Sequence, residues 1–228
     1  MSLLPPNLPY FVPFDRYTVE AYLEIERATG KRYEYHDGVL LSVEAMNQWG
    51  GGAGAPLVNR GSFLHSVIGT NVGGEARNAI IAAEEHDGAF AECNAASSDL
   101  RIAVDGGKRY LYADAAIVCG DPVYDEGIPT AIVKPVSVFE VVSPSSDGYD
   151  RGLKFAFYGT LPSLREYVIL EQARRHAEVR YRDSAQAAWK TTTYADLGAA
   201  VALPSLGIEL PMAGLYRGWT PERAKADA

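Results

Sequence analysis

The alternation of apolar and polar positions along the chain resolves into a helix, a hairpin, a second helix, a series of strands, a third helix and further strands. Tyr22, Leu23 and Ile25 supply part of the apolar face of a first helix, which Thr18 caps, Glu20 favours in its first turn and Gly30 ends. RYEYH at 32–36 alternates, Asp37-Gly38 is a two-residue turn signal and VLLSV follows, so a hairpin is predicted. Leu64, Val67, Ile68, Val72, Ala76, Ala79 and Ile80 recur at helical spacing over 63–83, with Gly73-Gly74 weakening the propensity. Strands are predicted at about 89–94, 99–104 and 109–118, the last two joined by an Asp105-Gly106-Gly107 turn. A loop at 119–131 leads into a long apolar strand from about 132 to 143. Residues 150–160 read as a helix that Leu161-Pro162 stops, and EYVIL at 166–170 reads as a strand. Residues 176–182 alternate, with Ala177, Val179 and Tyr181 on one face, and 189–194 can pair with them. A short strand is expected near 206–210.

This order predicts an α+β protein, a mixed sheet with helices against it. No regular βαβ alternation is present, and the glycines at 50–54 do not stand between a strand and a helix as a phosphate loop requires. Residues 1–16 read as a proline-rich extended arm, 17–218 as one domain, 219–228 as a charged tail and 47–62 as a Gly- and Asn-rich flexible surface loop. At 228 residues, 47% hydrophobic and 22% charged, the chain can bury a core that needs no disulfide or structural metal. The formal charge of -8, from 21 Lys+Arg against 29 Asp+Glu, argues against strong non-specific nucleic-acid binding but leaves a local basic groove open. Cys93 and Cys119 lack CxxC spacing; they read as reduced thiols in a cytoplasmic protein. No signal peptide and no apolar run of membrane-spanning length is visible.

Two carboxylates break the apolar pattern. Glu140 is the single charge in VSVFEVVS at 136–143, and Asp114 the single charge in YLYADAAIV at 110–118. Burying an unpaired carboxylate costs several kcal/mol, roughly, so each needs a partner or a cation. Successive strands are neighbours about two-thirds of the time, which can set the two acids side by side. Adjacent carboxylates repel unless a cation separates them, and an oxygen-preferring divalent ion, Mg²⁺ first, resolves that conflict. The alternative is that one or both acids pair with a buried Arg or Lys, or cap a backbone amine.

The order of motifs resembles the Uma2 family of endonucleases in the PD-(D/E)xK nuclease superfamily. The matching pieces are YTVEAYLEIE at 17–26, YEYHDGVL at 33–40, His65, SDLRIAV at 98–104, YLYADAAIVCG at 110–120, the stretch from 139 to 170, and LPSLGIELPMAGLY at 203–216. The resemblance implies a restriction-endonuclease-like mixed β-sheet flanked by helices, with an N-terminal helix–hairpin and a C-terminal β-hairpin. It places the metal-binding acids on Asp114 and Glu140, with the backbone carbonyl of Val141 as a further ligand. The superfamily's lysine position after the Glu is Val142 here, and the resemblance assigns that role to Lys154, in Asp150-Arg151-Gly152-Leu153-Lys154. Ala113 stands where the family usually has Pro, and the insertion at 47–62 can remodel the mouth of the site. Glu34 matches an early family Glu, either an extra metal contact or an exposed strand residue. His65 matches a family histidine near the site, or is a satisfied core or surface group.

The resemblance implies Mg²⁺-dependent hydrolysis of phosphodiester bonds, with Mn²⁺ as a substitute, DNA as the favoured substrate, and a homodimer for cutting both strands of a duplex. Two readings compete with it: an inactive nuclease-fold interaction module, and a hydrolase of small phosphorylated molecules. Arg174, Arg175, Arg180, Arg182 and Lys190 on the late hairpin, with Arg151 and Lys154, are the cations available to nucleic acid; the alternative for them is a solvated strand face.

Overall fold

A computed structural model describes residues 16–43, 62–87, 92–144 and 146–227. The predicted arm at 1–16, apart from its last residue, and the predicted loop at 47–62, apart from Ser62, lie outside the described residues. Helix α1 (Val19–Thr29) is capped as its sequence implies: Thr18 Oγ1 accepts from Ala21 N, and Gly30 adopts φ 64° and donates to Glu26 O. Strands β1 (Tyr33–His36) and β2 (Val39–Ser42) follow. Their turn puts Asp37 at φ 47° and Gly38 at φ 95°, the left-handed pair that a two-residue hairpin demands. Helix α2 (Phe63–Asp87) is one continuous element, and Ser62 Oγ accepts from His65 N in its first turn.

Thirteen strands occur among the described residues. β3 is Cys93–Ser97, β4 Arg101–Val104, β5 Arg109–Tyr112, β6 Ala115–Cys119, β7 Ala131–Ile132 and β8 Ser137–Val142. β9 is Glu166–Glu171, β10 Ala177–Tyr181, β11 Lys190–Tyr194, β12 Ala200–Leu203 and β13 Ile208–Pro211. A five-stranded sheet has the order β2-β1-β5-β4-β7, a six-stranded sheet the order β11-β10-β9-β8-β6-β3, and β12-β13 form a hairpin. Within the six-stranded sheet only β8 and β9 are parallel.

The six-stranded sheet is buried on both faces, which is why its central strands are almost wholly apolar. One face packs Ile117, Phe139, Val141 and Val168 against Leu64, Ile68 and Val72 of α2 and against the β12–β13 hairpin. The other packs Val118, Val138, Val142 and Ile169 against Ile102 and Leu111 of the five-stranded sheet and against Tyr158 and Leu161. Tyr22 and Ile25 of α1 close the outer side of the five-stranded sheet over Tyr35 and Tyr110. The fold is therefore a mixed α+β architecture of the expected kind.

Two predicted strands turn out to be pairs. The run at 109–118 ends as β5 in one sheet and resumes as β6 in the other, with Ala113 and Asp114 at the crossing. The run at 132–143 divides into β7 and β8 around Pro135, which has no N–H for a ladder. Apolar continuity signals burial and says nothing about which sheet a strand joins. Of the predicted strand at 89–94, residues 89–91 lie outside the described residues and its end falls in β3.

The predicted helix at 150–160 begins earlier and is irregular. This element, α3, runs through an α-helical turn at Asp147–Tyr149, a π-helical turn at Asp150–Lys154 and an α-helical turn at Phe155–Tyr158. The chain ends in α4 (Met212–Leu215) and α5 (Pro221–Ala226), after which Asp227 Oδ2 accepts from Leu64 N at 2.7 Å.

The expectation of free thiols is corrected. Cys93 and Cys119 face each other across the β3–β6 ladder and form a disulfide. Their separation of 26 residues hides a pairing that only the strand register creates.

The basic residues of the late hairpin are largely committed within the protein. Arg174 pairs with Glu171, Arg180 with Glu178 at 2.6 Å and Lys190 with Asp183 at 2.6 Å. Arg182, 6% exposed, lies over Trp189 and donates to the carbonyls of Gly159, Leu161, Leu164 and Ala185. Arg151 pairs with Asp147, Glu171 and Glu178. Arg174 and Lys190 remain exposed while paired, as the solvated-face alternative has it, whereas Arg182 is buried.

Candidate functional site

The site lies where the two sheets meet. Asp114 sits at the crossing between β5 and β6, its N–H donating to Phe139 O at 3.1 Å. The antiparallel β6–β8 register pairs Ala115 with Phe139, which brings Asp114 beside Glu140 and Val141. Asp114 Oδ2 accepts from Val141 N at 2.7 Å and its Oδ1 lies 3.0 Å from His65 Nε2. α2 delivers His65 from its first turn, so two sheet elements and one helix meet at this carboxylate.

Glu140 is 3% exposed and shares its strand face with Val138 and Val142, because alternate residues point the same way. That face carries α3, and Lys154 reaches from it to Glu140 Oε2 at 2.9 Å. Val142 itself packs into the core, so the helix supplies the cation that the strand lacks. A π-turn widens a helix locally and is frequent at functional positions; here it carries Lys154 with the side chain turned inward, 7% exposed.

Glu34 comes from β1 in the other sheet and is fully buried, which removes the exposed-strand alternative. Its Oε1 lies 3.4 Å from Lys154 Nζ, and its Oε2 accepts from the Tyr149 hydroxyl. Asp150 is a fourth acid, 6% exposed, with Oδ1 3.7 Å from Lys154 Nζ. Every sequence-derived site residue thus lines one cavity, whose space open to water is about 60 Å³. Asp150, Tyr149 and His36 were not singled out from the sequence. Asp150 stands in the same Asp-Arg-x-x-Lys piece as Lys154, a signal that was available; the other two look like ordinary turn and strand residues.

The electrostatics are unbalanced. Four carboxylates face one ammonium and two imidazoles, His36 and His65. Burial, reinforced by Asp150 and Asp114, pushes the Glu140 carboxyl well above its usual range despite Lys154. Burial likewise pushes Asp150 up to about 6. Asp114 and Glu34 go the other way: burial raises each, but His65 with Val141 N–H for the first, and Lys154 with His36 and Tyr149 for the second, outweigh it. Burial disfavours charge on Lys154, yet Glu140, Glu34 and Asp150 hold its pKa well above the usual value. His65 is similarly lowered by burial and raised, on balance, by Asp114.

These shifts set a pH dependence. An acid whose folded pKa is raised binds its proton more tightly in the folded state, so stability falls as pH rises between the unfolded and folded values. For Asp150 that window runs from 3.8 to about 6. Glu140 acts in the same direction, and so does a raised His65 at higher pH. The metal-free protein is expected to lose stability as pH rises from about 4 to 7, Asp150 contributing at most about 3 kcal/mol. Thermal unfolding in EDTA across that range checks it; a melting temperature that climbs steadily to pH 7 contradicts the assignment.

The residues present suit a hard cation. Glu140 Oε1 is buried and has no hydrogen-bond partner among the described residues. A strand residue's N–H and C=O project to the same edge, so the Val141 carbonyl shares the edge from which its N–H reaches Asp114. All these donors are oxygens, the set that Mg²⁺ and Mn²⁺ prefer. Among the described residues no three His, Cys, Asp or Glu side chains form a ready metal cage. An ion here would rest on two carboxylates, a carbonyl and water, which is how Mg²⁺ is commonly held.

A mixed sheet that brings an Asp and a Glu from paired central strands against a Lys defines a nuclease-type fold. A crystal structure of "a putative nuclease belonging to DUF820" from Anabaena variabilis ATCC 29413 superimposes with a TM-score of 0.59 at 14% identity, covering 88% of this chain and 97% of that one. The chain belongs to the Uma2 family, described as "Putative restriction endonuclease", whose model matches residues 19–213. Among curated relatives, the Synechocystis sp. protein slr1290 is 29% identical over 206 residues, 90% of this chain and 94% of that protein. A second Synechocystis sp. protein, sll1609, is 33% identical over 75 residues, 33% of this chain and 42% of its own. No helix of the described residues is long and apolar enough to cross a membrane.

Proposed function

We propose that this protein is a divalent-metal-dependent endonuclease that hydrolyses phosphodiester bonds, with DNA as its substrate and Mg²⁺ as its ion. The observation that carries the reading is the convergence of Asp114 and Glu140 on one cavity, with Glu140 Oε1 buried and unpartnered beside Lys154. Asp114, Glu140 and the Val141 carbonyl would hold the ion. When bound, such an ion supplies concentrated positive charge that neutralises a phosphate and acidifies a neighbouring water.

The chain's own residues do the rest. Lys154, kept protonated by three acids, adds a fixed positive charge where the transition state gathers negative charge. Val141 N–H and His65 fix both oxygens of Asp114, which pre-sets its orientation. His65 also lines the cavity, and with its Nε2 taken up by Asp114 its role is to orient that carboxylate.

The test is nicking of supercoiled plasmid and of single-stranded DNA in Mg²⁺, in Mn²⁺ and in EDTA. Cleavage in either metal that EDTA abolishes is the expected result. No cleavage of either DNA, together with no calorimetric heat on Mn²⁺ addition, would favour the inactive-module reading instead.

A further inference from the structure

Buried Glu34 and half-buried His36 and Tyr149 form a chain that the cleavage reading leaves without a task. Glu34 Oε2 accepts from the Tyr149 hydroxyl and lies 3.4 Å from His36 Nε2, while the hydroxyl lies 3.2 Å from the same nitrogen. His36 is held in turn against the Phe157 ring, 5.4 Å between centroids. One oxygen of Glu34 is therefore fixed from two sides. The other, Oε1, is buried without a hydrogen-bond partner and faces Lys154 Nζ at 3.4 Å.

The ammonium thus stands between carboxylates of different sheets, Glu140 on β8 at 2.9 Å and Glu34 on β1. An ammonium has three donors, so both acids can be served at once. A lysine given wholly to Glu140 would neutralise the acid that the proposed ion needs. A second carboxylate from the other sheet, at 3.4 Å, shares the ammonium's charge and restrains its direction. Orientation by outer partners of this kind typically changes activity or metal affinity by about 10- to 100-fold.

We propose that Tyr149 and His36 are positioning residues that lock Glu34 as a second anchor for Lys154, so that Glu34 steers the lysine and does not itself bind the metal. The proposal rests on the reading of Asp114 and Glu140 as ion ligands. It assigns Glu34 the lysine-facing role in place of the extra metal contact that its position in the sequence suggested.

Tyr149→Phe tests it in the full chain, since it keeps the ring and every charge and removes one hydroxyl. Three quantities are measured: the Lys154 Cε chemical shift by NMR, the Mn²⁺ Kd by calorimetry, and kcat and KM on single-stranded DNA. The expected result is a displaced Lys154 resonance, kcat lower by about tenfold with KM unchanged within about twofold, and a Mn²⁺ Kd within about threefold of wild type. Mn²⁺ binding weakened about tenfold or more would make Glu34 an ion ligand and overturn the proposal. An unmoved Lys154 resonance would overturn it as well, leaving Tyr149 a packing residue. Glu34→Gln must displace the same resonance, which keeps the test readable if the Tyr149 variant fails to fold. A wild-type protein that neither binds Mn²⁺ nor cleaves sinks the nuclease reading, while the Lys154 resonance still decides the anchor.

Discussion

Asp114→Asn is expected to fold normally and to cleave at least about a hundredfold more slowly than wild type, the scale on which a single preorganised electrostatic group acts. Asparagine keeps the shape of the side chain and an oxygen able to accept from Val141 N, the bond measured at 2.7 Å. It loses the charge that holds His65 and that a cation would need. Asp114→Ala is a harsher change: it strands a buried backbone N–H as well, at roughly 1–3 kcal/mol. Comparing the two separates chemistry from folding. Cleavage by the Asn variant at the wild-type rate, with an equal melting temperature, would remove Asp114 from the ligand set.

Lys154→Met carries the second large effect, and it falls on stability and rate together. Lys154 Nζ is 2.9 Å from Glu140, 3.4 Å from Glu34 and 3.7 Å from Asp150. Removing one partner of a buried ion pair typically costs about 3–5 kcal/mol, because the remaining charge is left uncompensated. Here three acids lose their common cation, and part of the penalty is relieved by proton uptake, so the variant's deficit grows with pH. A divalent ion is expected to restore much of the stability and none of the rate. Thermal melts at about pH 5 and 8, with and without Mn²⁺, are the measurement, alongside nicking assays. A deficit of the same size at both pH values would show that Lys154 does not compensate these acids.

The sequence made the most costly parts of this site visible and the supporting parts invisible. Asp114 and Glu140 stand out because a lone charge in an apolar run demands an explanation. Lys154 and Glu34 lie in mixed surroundings where charge is common, so the family pattern, and not the local composition, brought them forward. Tyr149 and His36 carry no such mark, since their places beside Glu34 arise where two sheets meet and no local window records that. Hairpin turns and caps were legible because Asp37-Gly38, Thr18 and Gly30 act within a few residues. The division of 109–118 between two sheets and the pairing of Cys93 with Cys119 were not, because both depend on long-range register.

The meeting of two sheets at Lys154 has a consequence for how the protein is made. Its members enter the chain from residue 34 to residue 154, and β8 is held in place by β9, which ends at Glu171. A polypeptide still emerging from the ribosome therefore cannot assemble this acid–lysine cluster until the strand that braces β8 has also been made.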